Sequence, residues 1–156
     1  MLILRPYTQD DWPVLARYQY PSMTETEINN RIAEFNSGSY KGRRLQMLAV
    51  ENNGTVVGYV SLYEQDSKSA SEGVEIYPPY RRRGFAYAAL RQLFARTQTY
   101  RTITAQVRKD NVASLALHNK LGFRVVDESI NRRGHAVYSL SLSLLQEIAT
   151  SLRSSQ

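Results

Sequence analysis

Arg81-Arg82-Arg83-Gly84-Phe85-Ala86 is the segment of this chain best suited to hold a charged ligand. It follows a strand-like run, Gly73 to Tyr77, and a Pro78-Pro79 break, and it opens a helix-like run, Tyr87 to Thr97. A glycine at a strand-to-helix turn lets several backbone N–H groups point at one spot. That spot also sees the positive end of the helix dipole, so it suits a phosphate or pyrophosphate. The dipole contributes roughly 0.3–1 kcal/mol at an exposed terminus. Each hydrogen bond to a charged oxygen contributes about 1.5–3 kcal/mol. The peptide groups from Arg82 to Tyr87 therefore carry the expected binding, ahead of the arginine side chains. The plain alternative is a glycine turn flanked by solvated arginines.

The elements that must position this turn are legible on both sides of it. Leu2 to Arg5 reads as a short strand. Asp10 can cap a helix over Asp11 to Tyr18, with Pro13 tolerated in the first turn. Thr24 and Glu27 have capping-box spacing, and Ile28, Ile32 and Phe35 follow at helical spacing. Gly38 to Gly42 reads as a loop. Leu45 to Glu51 and Thr55 to Tyr63 are rich in β-formers and flank Asn53-Gly54, a hairpin signal. Glu64 to Ser71 is polar and turn-like. In the helix after the turn, Ala86, Leu90, Leu93, Phe94 and Thr97 share a face. Thr102 to Val107 reads as a strand. A second helix is expected from about Asn111 to Lys120, with Ala113, Leu117 and Leu121 on one stripe and Gly122 closing it. Phe123 to Val126 and Ala136 to Leu142 read as the last strands, and Leu144 to Leu152 as a terminal helix. Strands first, then β-α-β-α-β-β, predict a mixed sheet with helices packed on both faces.

Composition limits the partners. A chain of 156 residues fits one domain with a real core, expected over 1–156. Its apolar runs are too short to span a membrane. Met1 to Pro6 lacks a basic and a long apolar signal region, so we expect a cytoplasmic protein without membrane association. The absence of cysteine excludes disulfides, a catalytic thiol and Cys-ligated metals. His118 and His135 are the only histidines and lie far apart, so we expect no metal. The net charge of +6 favours anionic partners: nucleic acid, a membrane surface or a phosphorylated small molecule. Much of the clustered charge sits at Arg43-Arg44, Arg81 to Arg83 and Arg132-Arg133, with no long basic tract, which speaks against nucleic acid.

A second motif, Asn111 to Phe123, follows one strand after the turn. Together the two segments resemble the GNAT superfamily of N-acetyltransferases. The matching pieces are Pro78-x-Tyr80-Arg81-x-x-Gly84-x-Ala86, then Asn111-x-x-Ser114, then Lys120-Leu121-Gly122-Phe123, in the family's order and spacing. The clear resemblance covers Gly73 to Phe123. It implies an α/β (α+β) fold: a single mixed, mostly antiparallel sheet with helices on both faces, the acyl-CoA N-acyltransferase fold. It implies acetyl-CoA as donor. Ile76 and Tyr77 would offer backbone groups to the pantetheine arm. Arg81, Arg82, Arg83, Gly84, Phe85, Ala86 and Tyr87 would surround the pyrophosphate. Asn111 would contact the cofactor arm, and the helix from Ser114 would flank it. In this family the sheet splays between the strands that here are Gly73–Tyr77 and Thr102–Val107.

The reaction implied is direct acetyl transfer to an amine, whose identity the sequence leaves open. An alkylammonium has a pKa near 10, so a base must take its proton. Glu72 and Glu75 are the nearest candidates, and their spacing puts them on opposite faces of a regular strand. Gln106 stands where some relatives carry glutamate, and an amide cannot be a base. Many relatives carry tyrosine at the position of His118 to protonate the departing thiolate. His118 is therefore read as acid, positioner or acceptor-binding group, against the alternative of a helix histidine bonded beside the core. The family's acceptor site would draw on Arg17 to Tyr20, Phe35 to Tyr40, Tyr59 and Tyr63. Arg132-Arg133 would favour an acceptor with a carboxylate, unless the pair is only an exposed hairpin tip. Two rivals stand beside the enzyme: an acyl-CoA-binding module of the same fold without catalysis, and a basic nucleic-acid-binding domain with steep salt dependence. A homodimer stays open.

Overall fold

A computed structural model describes residues 1–144. Beyond Leu144, the expected terminal helix lies outside the described residues. The chain divides into two compact units: Met1–Glu64 with Gly73–Leu93, and Gln65–Glu72 with the chain from Phe94 onward.

The first unit begins with β1 (Leu2–Arg5), a 3-10 turn (Gln9–Asp11), α1 (Trp12–Tyr18) and α2 (Glu25–Asn36). β2 (Ser39–Tyr40), β3 (Arg43–Asn52) and most of β4 (Thr55–Asp66) follow. The end of β5 (Ser69–Ile76), a 3-10 turn (Pro78–Tyr80) and most of α3 (Phe85–Ala95) complete it. The second unit holds the start of β5, β6 (Thr102–Arg108), α4 (Val112–Leu121), β7 (Arg124–Ile130) and β8 (Ala136–Ser143). β3 pairs antiparallel with β1, β2 and β4. β8 lies antiparallel between β6 and β7. β5 pairs parallel with β6 over Ser69↔Thr102, Ala70↔Ile103 and Ser71↔Thr104. The sheet is thus mixed and mostly antiparallel, with four helices among the described residues, as expected.

Local chemistry explains where these elements start and stop. Thr24 caps α2 as expected: its hydroxyl accepts from the Glu27 amide at 3.2 Å, and Glu27 reaches back to the Thr24 amide at 3.3 Å. The first helix differs from expectation. Asp11, not Asp10, is the organising acid. Its carboxylate takes the Thr8 amide at 2.8 Å and both terminal nitrogens of Arg5 at 2.8 and 2.9 Å. That places a 3-10 turn before α1 and delays the helix to Trp12. Asn53 and Gly54, at φ 50° and 85°, make the predicted two-residue hairpin turn.

Two expected irregular stretches keep a turn but also contain strand. Lys41 and Gly42 repeat the same turn geometry, at φ 51° and 78°, so β2 pairs with β3 inside the predicted 38–42 loop. The polar stretch 64–71 is the tip of the β4–β5 hairpin, where the Asp66 carboxylate accepts from the Lys68 amide at 2.8 Å. A strand with one solvated face carries polar residues, so polarity alone resembled a turn.

Leu48, Ala49 and Val50 are all buried, and successive strand residues point to opposite faces, so β3 is covered on both. Tyr7, Leu15, Ile28, Ile32, Ala49, Val56 and Tyr77 form the core that seats α1 and α2. Gly58 admits the closest backbone approach. A Cβ there would lie 2.0 Å from the Glu75 carbonyl oxygen and 2.9 Å from the Ile76 Cα. Gly58→Ala should therefore displace β5 or destabilise the protein by about 1–3 kcal/mol, as overpacking against backbone does. Urea denaturation should show the midpoint falling with an unchanged slope.

Candidate active site

The turn after β5 is built by bonds that fold it back on the strand. The Tyr77 amide donates to Val57 O at 2.8 Å, and Arg81 Nε donates to Ile76 O at 2.8 Å. The Tyr77 carbonyl accepts the Tyr80 amide at 2.9 Å. The backbone groups expected to meet a pantetheine arm at Ile76 and Tyr77 are thus partly committed within the protein. Arg82 and Gly84 both have left-handed backbones, at φ 66° and 80°. For arginine this conformation costs about 1–2 kcal/mol, and such strain collects at ligand-binding turns. Gly84 O accepts the Ala88 amide at 3.1 Å, so Gly84 begins α3. The helix's first amides then have no acceptor of their own within it. A Cβ on Gly84 would meet nothing within 4 Å, so its dihedral, not crowding, calls for glycine.

Glu75 sits among tyrosines. Burial first, then the negative charge of Glu75, the neighbouring Tyr20 and a hydrogen bond to Glu75, push the Tyr59 phenol up to about 12. Burial also raises Tyr20, with Arg31 opposing and Glu34 and Glu75 adding to the rise. Tyr77 stacks on Tyr18 at 4.5 Å and donates its hydroxyl to Gln19 Oε1. Arg17 lies over Tyr18 at 5.3 Å, and Arg31 over Tyr20 at 5.7 Å. Of the residues expected at an acceptor site, Tyr18, Gln19, Tyr20 and Tyr59 are thus linked to Tyr77 or Glu75. Tyr40 and Tyr63 instead contact each other, with centroids 6.1 Å apart.

In the second unit, Asn111 caps α4, its side-chain oxygen accepting the Ser114 amide at 3.1 Å. Gly122 ends the helix at φ 97°. The inward line of α4 keeps only part of the expected Ala113–Leu117–Leu121 stripe, with Leu117 half-buried and Leu121 buried. Ala113 is exposed, and Ser114, His118 and Leu121 turn inward. His118 is only 3% exposed, and the side chain of Glu72 only 2%. His118 Nδ1 donates to the Ser114 carbonyl at 2.7 Å, and Nε2 meets the Glu72 carboxylate. Both ring nitrogens face acceptors, so an imidazolium satisfies both and a neutral ring only one. Burial pulls the His118 pKa down, but the hydrogen bond and charge of Glu72, aided by Ser114, outweigh it and raise it. Phe123 meets the ring edge-on at 5.0 Å. The two residues are 46 positions apart, so no local signal announces the pair. Gln106 is exposed on β6. Among the described residues, no group of three or more His, Cys, Asp or Glu side chains is placed to hold a metal. No helix among them is long and apolar enough to cross a membrane.

This is the fold of the GNAT acetyltransferases. The Vibrio cholerae spermidine N-acetyltransferase SpeG, in complex with CoA and spermine, matches with a TM-score of 0.74 at 18% identity, over 92% of this chain and 95% of that one. A dodecameric structure of the same Vibrio cholerae enzyme gives 0.79 at 16% identity, over 96% and 98%. The profile of the Acetyltransferase (GNAT) domain matches residues 1–124, and the chain belongs to that family. Two Bacillus subtilis proteins are similar in sequence. The spore coat polysaccharide biosynthesis protein SpsD is 25% identical over 68% of this chain and 37% of its own length. The prophage-derived uncharacterized N-acetyltransferase YokL is 27% identical over 60% of this chain and 56% of its own length. The chain thus spans between about a third and just over half the length of these relatives.

The buried pair sets a pH dependence. A histidine with a raised folded pKa stabilises fully below its unfolded value near 6.5, and the contribution is lost as pH rises through the folded value. Wild type should lose stability across that alkaline window, and Glu72→Gln should flatten the loss. Thermal melts at several pH values read both slopes, and parallel curves would remove the charged pair.

Proposed function

We propose that this protein is an N-acetyltransferase that moves the acetyl group of acetyl-CoA directly to an amine. The observation that carries the reading is the β5–α3 turn. Two left-handed residues, Arg82 and Gly84, precede the first amides of a helix, a geometry suited to a pyrophosphate. The peptide groups from Arg82 to Tyr87 would hold that pyrophosphate, with Arg81 bracing the strand end through Ile76 O. Asn111 and Ser114 would flank the cofactor arm from the start of α4, as the family motif implies.

Glu75 is the proposed proton acceptor. It lies beside the Tyr59 hydroxyl, and Tyr20 and Tyr77 feel its charge. A carboxylate with aromatic faces attracts an ammonium both by charge and by cation–π contact. The ammonium gives its proton to Glu75, and the neutral nitrogen attacks the thioester carbonyl carbon. The C–S bond breaks, and CoA leaves as a thiolate that takes the second proton, shed by the nitrogen as the amide forms. A thiol pKa near 8.5 makes that departure easy without a dedicated acid. We assign Glu72 and His118 to positioning: each ring nitrogen of His118 already has a partner, and the imidazolium ties β5 to α4. The solved neighbour that holds spermine acts on polyamines, but at 18% identity it argues for the fold and not for that acceptor.

Release of CoA across a panel of primary amines, amino acids, peptides and aminoglycosides tests the reading. Tight acetyl-CoA binding with no turnover on any of them would leave a binding module. Gly84→Val should raise the acetyl-CoA dissociation constant about tenfold or more, because a β-branched residue resists φ near 80°. An unchanged constant in a folded variant sinks the cofactor assignment. Glu75→Gln should lower kcat by about 10²–10⁴ while acetyl-CoA binding holds. A variant with wild-type kcat and pH profile would take the base away from Glu75.

A further inference from the structure

The β7–β8 hairpin carries two arginines with no acidic partner among the described residues. Arg132 and Arg133 form no ion pair with any described residue. Nearby acids are already engaged. Asp110 is held by Arg108 at 2.7 Å, and Glu128 by Lys109 at 3.0 Å. The Asp127 carboxylate accepts the Glu128 amide at 2.8 Å.

The arginines sit on a fixed tip. Asn131 Oδ1 accepts the Arg133 amide at 3.0 Å and the His135 amide at 2.9 Å. The Asn131 amide donates to His135 O at 2.9 Å, and the Gly134 amide to Asn131 O at 2.9 Å. Gly134, at φ 82°, permits the tight return. With the backbone held, less freedom is lost when the guanidinium groups meet a ligand.

Beside the tip lies an open groove of about 470 Å³, lined by Gln106, Ser129, Ile130, Asn131, Arg132 and Arg133. That size suits a small molecule. Its walls present two cations, two amides and a hydroxyl, and no carboxylate, while the exposed side chain of Ile130 offers an apolar contact. A forked guanidinium matches the oxygen spacing of carboxylates and phosphates, and the neutral donors beside it complete such a shell.

We propose that this groove binds an oxyanion, a carboxylate or phosphate, carried by a small molecule. The binding does not depend on the acetyl-transfer reading.

Arginine side-chain N–H resonances of the full chain, titrated with inorganic phosphate, 2-aminoethyl phosphate and ethanolamine, test the site directly. Shifts at Arg132 or Arg133 are expected with both phosphates and not with ethanolamine. Phosphate affinity should fall about tenfold or more in the Arg132→Ala/Arg133→Ala variant and recover in part with Lys at both positions. Silence at both arginines, or shifts confined to Arg81–Arg83, overturns the site.

Discussion

The structure depends on one close approach. Gly58 on β4 lies against the backbone of Glu75 and Ile76 so tightly that a methyl group would overlap the Glu75 carbonyl. This contact sets where the end of β5 runs. The Glu75 carboxylate, the Ile76 carbonyl that receives Arg81, and the exit into the Pro78–Tyr80 turn all follow from it. A turn can only be as well placed as the strand it leaves. Here the placement is steric, because two backbones share a space that admits no side chain.

The same strand separates two carboxylates by environment. Glu75 faces phenols whose ionisation it suppresses, in a half-buried setting suited to meeting an ammonium. Glu72 is buried against a histidine whose other nitrogen is also bonded. One acid is half-buried beside phenols, and the other is closed in against a helix histidine. The division follows from side chains alternating along a strand, so residues three apart meet different neighbours.

Much of the fold was legible because its signals are local. The Thr24–Glu27 box, the Asn53-Gly54 turn and the left-handed Gly122 each act within a few residues, and each stands where its chemistry predicted. The misreadings were non-local. The β2 strand exists because Ser39 and Tyr40 pair with Arg44 and Arg43, and the 64–71 stretch is strand because β4 and β5 pair through it. The inward face of α4 was misjudged because apolarity pointed to Ala113, while a buried ion partner selected Ser114 and His118.

By itself, the amino-acid sequence determined the motifs that place the chain in its family and the glycine turn suited to an anion, because both rest on residue type and short spacing. The tertiary structure decided the rest of the site. It paired Glu72 with His118, gathered Tyr20, Tyr59 and Tyr77 about Glu75, and left Arg132 and Arg133 without an acid among the described residues. The physical reason is that charge and burial are properties of neighbours. A carboxylate's task depends on what the fold sets against it, and those partners lie tens of residues away along the chain.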